Sequence, residues 1–290
     1  MALVHIPQRR IWTRQPQQKV GVNWANPISR NLRFLWTPIS PTIDLVSGLP
    51  FAQNGTPQPN IAKYGRSLFT SGALTGYGAA DVTTGSPQNA QYNAVAPPMT
   101  LCALMQNDSA ANNAASGISR GNGSGGQSWD VGLYKGSNSG ASAHIRTTGA
   151  TLDIVPGAFL FDTTARPILV TLSIGTTNTN LYSDDTLTQT AATPAGAFYY
   201  EYGDVYRCLA VGSQYKDAGQ SMYIGFAAIW WRELSQAEHR SLSANPWQLL
   251  APANDSIWLP SSAALFPTLS SPRMTGITTT GGVPTVNYTF

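Results

Sequence analysis

Charged side chains are scarce in this sequence. Asp, Glu, Lys and Arg make up 11% of its 290 residues, well under the quarter or so of an average soluble domain. Small polar residues and turn formers fill the gap, with 27 Gly and 20 Pro. This mixture favours many short strands joined by tight turns and disfavours long helices. It also suits a surface that neighbouring chains cover, because fewer charges then lose their water.

Cysteine clusters and long apolar runs are also missing, and we expect no secretion leader. Cys102 and Cys208 lie far apart without metal or redox spacing, and we expect both to be buried free thiols. No apolar stretch approaches about 18 residues, so we expect no membrane partner. The opening MALVHIPQRR lacks the apolar core of a signal peptide, which predicts synthesis in the cytoplasm without export.

The few charges are unevenly distributed. No acidic residue precedes Asp44, whereas six Lys and Arg do. Residues 1–19 therefore read as an extended basic arm, either a solvated leader or a segment drawn to an acidic protein surface or nucleic acid. We expect any attraction to nucleic acid to involve charge alone, without readout of its bases.

Apolar runs in the body predict strands. The runs 99–105, 168–174 and 221–231 are long enough for buried central strands, and shorter runs at regular spacing accompany them. Many short strands separated by turn residues indicate a β-sandwich or jelly roll. The polar, low-complexity stretch 106–127 is predicted to be a long loop that contributes nothing to the core.

One helix and one hairpin complete the expected organisation. Ser235 and Glu238 form a capping-box pattern, and the helix should end near Ala244 because the position before Pro246 disfavours helical backbone. Gly281-Gly282 between alternating Thr and apolar residues predicts a terminal hairpin. The expected domains are the arm 1–19, a sandwich over 20–259, and a linker with hairpin over 260–290.

Two stretches carry a resemblance. The first comprises Leu181-Tyr182-Ser183-Asp184-Asp185, Gly225, the run 229–235 (IWWRELS), Glu238, Leu242 and Asn245-Pro246-Trp247. The second is RRIWTRQPQQKVGVNWANPISRNLRFLW at 9–36. The first resembles the second half of laminin-G-like, concanavalin A-like jelly-roll domains, and the second resembles the leader of such domains in virion proteins of tailed bacteriophages. The resemblance implies an all-β jelly-roll sandwich with one short C-terminal helix, an extended N-terminal arm and a C-terminal hairpin.

The resemblance also implies a function. It suggests a non-catalytic structural protein of the virion, as capsid decoration, minor capsid protein or tail component. Such a protein would anchor its sandwich on the particle surface for stabilisation or adhesion, with other virion proteins and further copies of itself as partners. Docking would use the arm, where aliphatic and aromatic residues interleave with charges because exposed ion pairs alone are weak: Arg9, Arg10, Ile11, Trp12 and Arg14.

An alternative is a lectin-like module of a tail fibre or head appendage that binds cell-surface or mucus glycans. Aromatic rings stack on sugars, and four tyrosines crowd one stretch, although such rings could equally cap the core. They are Tyr199, Tyr200, Tyr202 and Tyr206.

Calcium is the only cofactor that the resemblance suggests. Laminin-G domains that hold calcium use carboxylates at a sandwich rim, and Asp185 stands where the family has a turn glycine. Asp184 and Asp185 could supply hard oxygen ligands. The alternative is a solvated turn, for which Asp is well suited.

The sequence contains few candidate catalytic groups. A glycosidase needs two facing carboxylates, and Glu201 with Asp204 is the only close acidic pair not accounted for by the turn or the helix; polysaccharide hydrolysis is thus a lesser alternative. The string 117–121 matches a nucleophile-elbow pattern, but its flanks are expected to be loop instead of strand and helix. The three histidines, at 5, 144 and 239, are too scattered for zinc. We assign no catalytic residue.

Overall fold

The computed structural model describes a β-rich body and a separate C-terminal hairpin. The chain divides into two compact units, Met1–Pro252 and Ala253–Phe290. The described residues are 15–16, 19–54, 58–62, 65–71, 76–79, 97–107, 115–120, 131–135, 141–154, 167–198, 209–212, 221–252, 273–280 and 283–289.

The strands of the body are short, as the turn-rich composition predicts. In chain order they are β1 Val20–Val22, β2 Leu32–Trp36, β3 Ala52–Asn54, β4 Gln58–Ala62, β5 Gly65–Ser71, β6 Gly76–Ala79, β7 Met99–Asn107, β8 Ala115–Arg120, β9 Val131–Lys135, β10 Ala141–Arg146, β11 Thr151–Ile154, β12 Ile168–Ile174, β13 Asn178–Ser183, β14 Thr186–Ala192, β15 Leu209–Gly212, β16 Ser221–Trp230 and β17 Leu250–Pro252.

Two antiparallel sheets form the sandwich. Within the described residues the first runs β11-β10-β9-β8-β15-β6-β3, and the second runs β14-β13-β12-β7-β16-β5-β4 with β2 also paired to β16. One buried cluster contains inward residues of both sheets, such as Leu133 and Ile118 of the first and Leu101 and Val170 of the second. This arrangement confirms the all-β jelly-roll sandwich.

Alternation along the central strands creates a second apolar layer. On β7, Leu101 and Ala103 face the inter-sheet core, while Cys102 and Leu104 belong to a separate cluster on the outer face. Cys102 is a buried free thiol, and burial, partly offset by a bond from Thr171, raises its pKa to about 12. Cys208 lies outside the described residues.

A β-bulge at Gly225 changes which side chains of β16 face the inter-sheet core. Before it, Ile224 is opposite Met105, and after it Phe226 is opposite Leu104, so Gly225 is the extra residue. One inserted residue reverses which face the following side chains occupy. Phe226 and Trp230 therefore point outward, whereas Ile224 faces the inter-sheet core.

The segment after β16 covers this outer face. Helix α1, Gln236–Ala244, is the one α-helix among the described residues, and it has the predicted capping box and end. It is followed by a 3-10 turn, Pro246–Leu249. Leu242 and Trp247 join the outer cluster together with Ile28 from the start of the chain.

Arg232 joins this helix to the N-terminal part of the domain. Its guanidinium nitrogens donate to both carboxylate oxygens of Glu238, at 2.9 and 2.6 Å. The same side chain donates to the backbone carbonyls of Arg30, at 2.9 Å, and Ile28, at 3.2 Å. Trp230 also donates its indole N–H to the Ile28 carbonyl, at 2.7 Å.

The prediction for residues 106–127 is partly wrong. β7 continues to Asn107, and β8, Ala115–Arg120, is a strand inside the first sheet. Ile118 is fully buried in the core. A Cβ atom on Gly117 would lie 2.6 Å from the sulfur of Met105. Gly117 therefore leaves room for the side chain of Met105 from the opposite sheet.

The N-terminal arm is described only in part, whereas both strands of the C-terminal hairpin are described. Residues 1–14 of the expected docking arm lie outside the described residues, but Gln15 and Pro16 are buried. In the second unit, β18 Arg273–Thr280 pairs with β19 Val283–Thr289 across Gly281-Gly282, as an antiparallel hairpin.

Replacing Arg232 by Lys should lower the free energy of unfolding by about 1–2 kcal/mol, because an ammonium cannot reproduce the paired bonds to Glu238 and the bonds to two carbonyls. Urea unfolding would measure this loss. Arg240→Lys on the same helix is the matched control: Arg240 is exposed and has no hydrogen bond or ion pair among the described residues, so its change should stay within about 0.5 kcal/mol. Equal losses for both variants would contradict the role of Arg232.

Candidate functional site

The hairpin between β13 and β14 carries the predicted acidic pair. Asp184 has a left-handed backbone (φ 55°), a conformation that Asp tolerates better than most residues. Its backbone N–H donates to the Leu169 carbonyl at 2.8 Å, and its carboxylate accepts from the Leu169 N–H at 2.9 Å. Because Asp184 takes the left-handed backbone conformation of this turn, the next position does not need a glycine. This explains why Asp185 can stand where the family has a turn glycine.

Asp185 remains at the tip with an exposed side chain. Within the described part of the chain, the only hydrogen bond of its carboxylate is the one it accepts from the neighbouring Thr186 hydroxyl, at 3.4 Å. The two aspartates therefore differ: Asp184 closes the hairpin onto β12, and Asp185 points its charge toward solvent.

The hairpin tip offers few oxygen ligands for calcium. Calcium takes about six to eight oxygen ligands, and one oxygen of Asp184 already accepts from Leu169. Among the residues that the structure describes, no group of three or more His, Cys, Asp or Glu side chains could hold a metal ion. Calcium at Asp184 and Asp185 stays a prediction.

Helix α1 stands beside this hairpin on the outer face. Tyr182 of β13 stacks on His239 of the helix, with ring centroids 4.0 Å apart. His239 is fully buried, and neither ring nitrogen has a hydrogen-bond partner within the described residues. Burial, only partly offset by the charge of Glu238, lowers the pKa of His239 to about 4. The contact is thus made by a neutral ring.

A groove opens between the helix and the hairpin. It has a volume of about 440 Å³ and is called the flank groove here. Leu104 of β7 and Leu169 of β12 lie at its apolar base, and the acidic hairpin tip and the last turns of the helix form its sides. Its lining residues are Leu104, Pro167, Leu169, Asp184, Asp185, Arg240, Ser243, Ala244, Pro246 and Trp247.

Rigid elements form the sides of the groove. Glu238 caps the helix at Ser235, and hydrogen bonds from Arg232 and Ser235 outweigh burial and lower the pKa of Glu238 to about 2. Trp247 is 5% exposed and packs edge-on against Phe226. A ligand in the groove would therefore meet surfaces that are ordered in advance.

The structure unites only some of the predicted site residues. Asp184 and Asp185 reach the flank groove, whereas the tyrosines at 199, 200, 202 and 206, the arm residues at 9–12 and 14, and the pair Glu201 and Asp204 lie outside the described residues. Arg240 was not predicted, because nothing in its local sequence shows which side of the helix faces the hairpin. Leu104 and Leu169 could have been noticed, since apolar residues on the outward side of central strands require a cover.

Two motifs from the sequence have structural roles. Ser119 of the elbow-like string lies inside β8 and is buried; the expected loop before it is in fact strand, yet the serine is not at the exposed turn that nucleophilic attack requires. His144 of β10 is opposite Asp153 of β11, with Nδ1 and a carboxylate oxygen 2.6 Å apart, as expected for a structural histidine.

Solved structures share this fold at low sequence identity. The binding domain of Paraclostridial Mosquitocidal Protein 1 matches 74% of this chain and 52% of its own, with 9% identity and a TM-score of 0.56. The binding domain of botulinum neurotoxin DC, solved in complex with rat synaptotagmin II, gives the same coverages, 17% identity and 0.52. Trypanosoma rangeli sialidase gives 74% and 33% coverage, 14% identity and 0.51.

These similarities establish a β-sandwich fold and no more. The chain spans between a third and about half the length of these three structures. Two of the three are named as binding domains, and the third is named as an enzyme. No family model matches the sequence, and no curated protein matches it. No helix among the described residues is long and apolar enough to cross a membrane.

Acid should weaken the domain in two separate pH ranges. The ordinary pKa of histidine is 6.5 and that of folded His239 is about 4, so below pH 6.5 the unfolded chain takes up a proton that the folded one does not. Stability is therefore lost as the pH falls from 6.5 to 4. Glu238 has an ordinary pKa of 4.5 and a folded value of about 2, so its contribution is lost from pH 4.5 to 2.

In His239→Phe, the free energy of unfolding should no longer fall between pH 6.5 and 4, a loss of at most about 3 kcal/mol in the wild type. In Glu238→Gln, only the fall between pH 4.5 and 2 should disappear. Urea unfolding of each variant between pH 7 and 3 distinguishes them. An unchanged slope between pH 6.5 and 4 in His239→Phe would show that the buried ring does not set this dependence.

Proposed function

We propose that this chain is a non-catalytic structural protein of a bacteriophage virion whose β-sandwich adheres to saccharides of a cell surface or mucus. The observation that carries the adhesive role is the flank groove, a ligand-sized hollow between ordered elements with polar groups at its sides. The fold adds support, since the domains of similar structure include two named as binding domains. The virion as carrier is supported by the resemblance of residues 9–36.

The disposition of the carboxylates supports binding over catalysis. Glycosidases flank the sugar with two carboxyl groups about 5–9.5 Å apart. In the flank groove both carboxylates, Asp184 and Asp185, belong to one hairpin on the same side. Elsewhere among the described residues, three carboxylates are engaged: Glu238 by Arg232 and Ser235, Asp153 by His144 and Asp44 by the Leu35 and Val46 N–H groups. Glu233 is exposed outside the groove.

One described residue near the arm supports attachment to a carrier. Trp24 is 59% exposed on a turn that backbone and side-chain bonds hold in place, from Asn23 to the Leu249 carbonyl at 2.7 Å and from Asn26 to Gln248. A large ring on a rigid turn gains contact area at little cost in conformational entropy. Trp24 therefore extends the docking surface that we propose for the arm.

Removing residues 2–14 should leave a folded protein that no longer incorporates into particles, because the truncation keeps buried Gln15 and Pro16 while removing the interleaved charges and rings. Trp24→Ala should reduce incorporation as well. Leu187→Ala is the matched control and should incorporate normally, since Leu187 is the other large apolar side chain that is exposed among the described residues, at 44%. Quantitative mass spectrometry of purified particles measures all three, and normal incorporation of the truncation would contradict the docking role.

Polysaccharide hydrolysis is the function that this proposal excludes. The full chain, incubated with bacterial capsular and cell-wall polysaccharides, should release no reducing sugar above background. Sustained release that disappears in Glu201→Gln would contradict a non-catalytic role.

A further inference from the structure

The flank groove has the dimensions of a small-ligand site. Its volume of about 440 Å³ lies within the range of roughly 300–1,000 Å³ typical of ligand pockets. The combination of an apolar base with polar sides suits a sugar ring, which presents C–H groups on its face and hydroxyls around its edge. The inference that follows deepens the adhesive function proposed above and depends on it.

Two side chains of the groove have polar atoms left for a ligand. Arg240 is exposed and makes no hydrogen bond or ion pair with the described residues, so its guanidinium offers several donors. Asp185 accepts one long bond from its neighbour Thr186, which leaves most of its acceptor capacity unused. Asp184, by contrast, holds the hairpin to Leu169.

The charges of these two side chains determine the class of ligand. Asp185 and Arg240, the two side chains left for a ligand, carry opposite charges, whereas the Asp184 carboxylate that also lines the groove already accepts from the Leu169 N–H. A ligand with a net charge would therefore be attracted to one side chain and repelled by the other. Neighbouring hydroxyls of a neutral sugar can donate to a carboxylate and accept from a guanidinium at the same time, and hydrogen bonds to charged groups are stronger than bonds between neutral ones.

Both side chains stand on elements that are fixed before a ligand arrives. The hairpin tip is held by two bonds between Asp184 and Leu169, and the helix is held by its capping box and by Arg232. Little ordering is then needed on binding, which favours affinity. We infer that the flank groove binds a neutral saccharide of about one or two rings between Asp185 and Arg240.

The test uses the full chain on an array of neutral, sialylated, sulfated and amino-sugar oligosaccharides. The strongest neutral ligand is then titrated by calorimetry into wild type, Asp185→Ala and Arg240→Ala. Each substitution should weaken binding about tenfold or more, because each removes charge-assisted hydrogen bonds. Glu233→Ala is the matched control, an exposed carboxylate outside the groove, and should bind as wild type does.

A variant that fills the groove distinguishes loss of the site from loss of folding. Ala244→Trp places a large ring into the groove from an exposed helical position and should abolish binding while thermal unfolding stays near that of wild type. Unaltered binding by Asp185→Ala, Arg240→Ala and Ala244→Trp would overturn the groove as the site and leave the adhesive function standing. Binding of charged saccharides alone would overturn the neutral class, and failure of wild type to bind any saccharide would overturn both proposals.

Discussion

The domain depends on covering the outer face of its second sheet. The central strands are apolar on both sides, so a sandwich of two sheets alone would leave Leu104, Phe226 and Trp230 in water. Burial of such side chains contributes about 25 cal/mol per Å², and the segment after β16 supplies the cover. Arg232 in this segment then donates to the carbonyls of Ile28 and Arg30, and Trp230 at the end of β16 donates to the same Ile28 carbonyl. The flank groove lies between this cover and the tip of the β13–β14 hairpin.

The parts of the fold that the sequence predicts best are those decided by neighbouring residues. The capping box at Ser235 and Glu238 forms within one turn, and the helix ends where Pro246 requires. The central strands were recognisable because their apolar runs exceed what an exposed strand would carry. The hairpin at Gly281-Gly282 follows from turn chemistry alone.

The less predictable parts depend on residues distant in sequence. β8 looks like a loop because of its Gly and Ser content, whereas its Gly117 lies where Met105 of the opposite sheet approaches. The candidate site shows the same limit. Asp184 and Asp185 were identified from their own turn, but Arg240 joins them only through the packing of the helix. Arg232 and Glu238 both belong to the stretch that carries the resemblance, and their hydrogen bonds connect the helix to the body of the domain.

The pairing of β1 with β17 has a consequence for how this domain can be built into larger chains. Val20 is opposite Pro252 in an antiparallel ladder, so the points where the chain enters and leaves the sandwich lie on adjacent strands, about 5 Å apart. Domains with neighbouring ends tolerate insertion and fusion. Another polypeptide could therefore accept this sandwich within a surface loop, because the two ends of that loop would not need to move far apart.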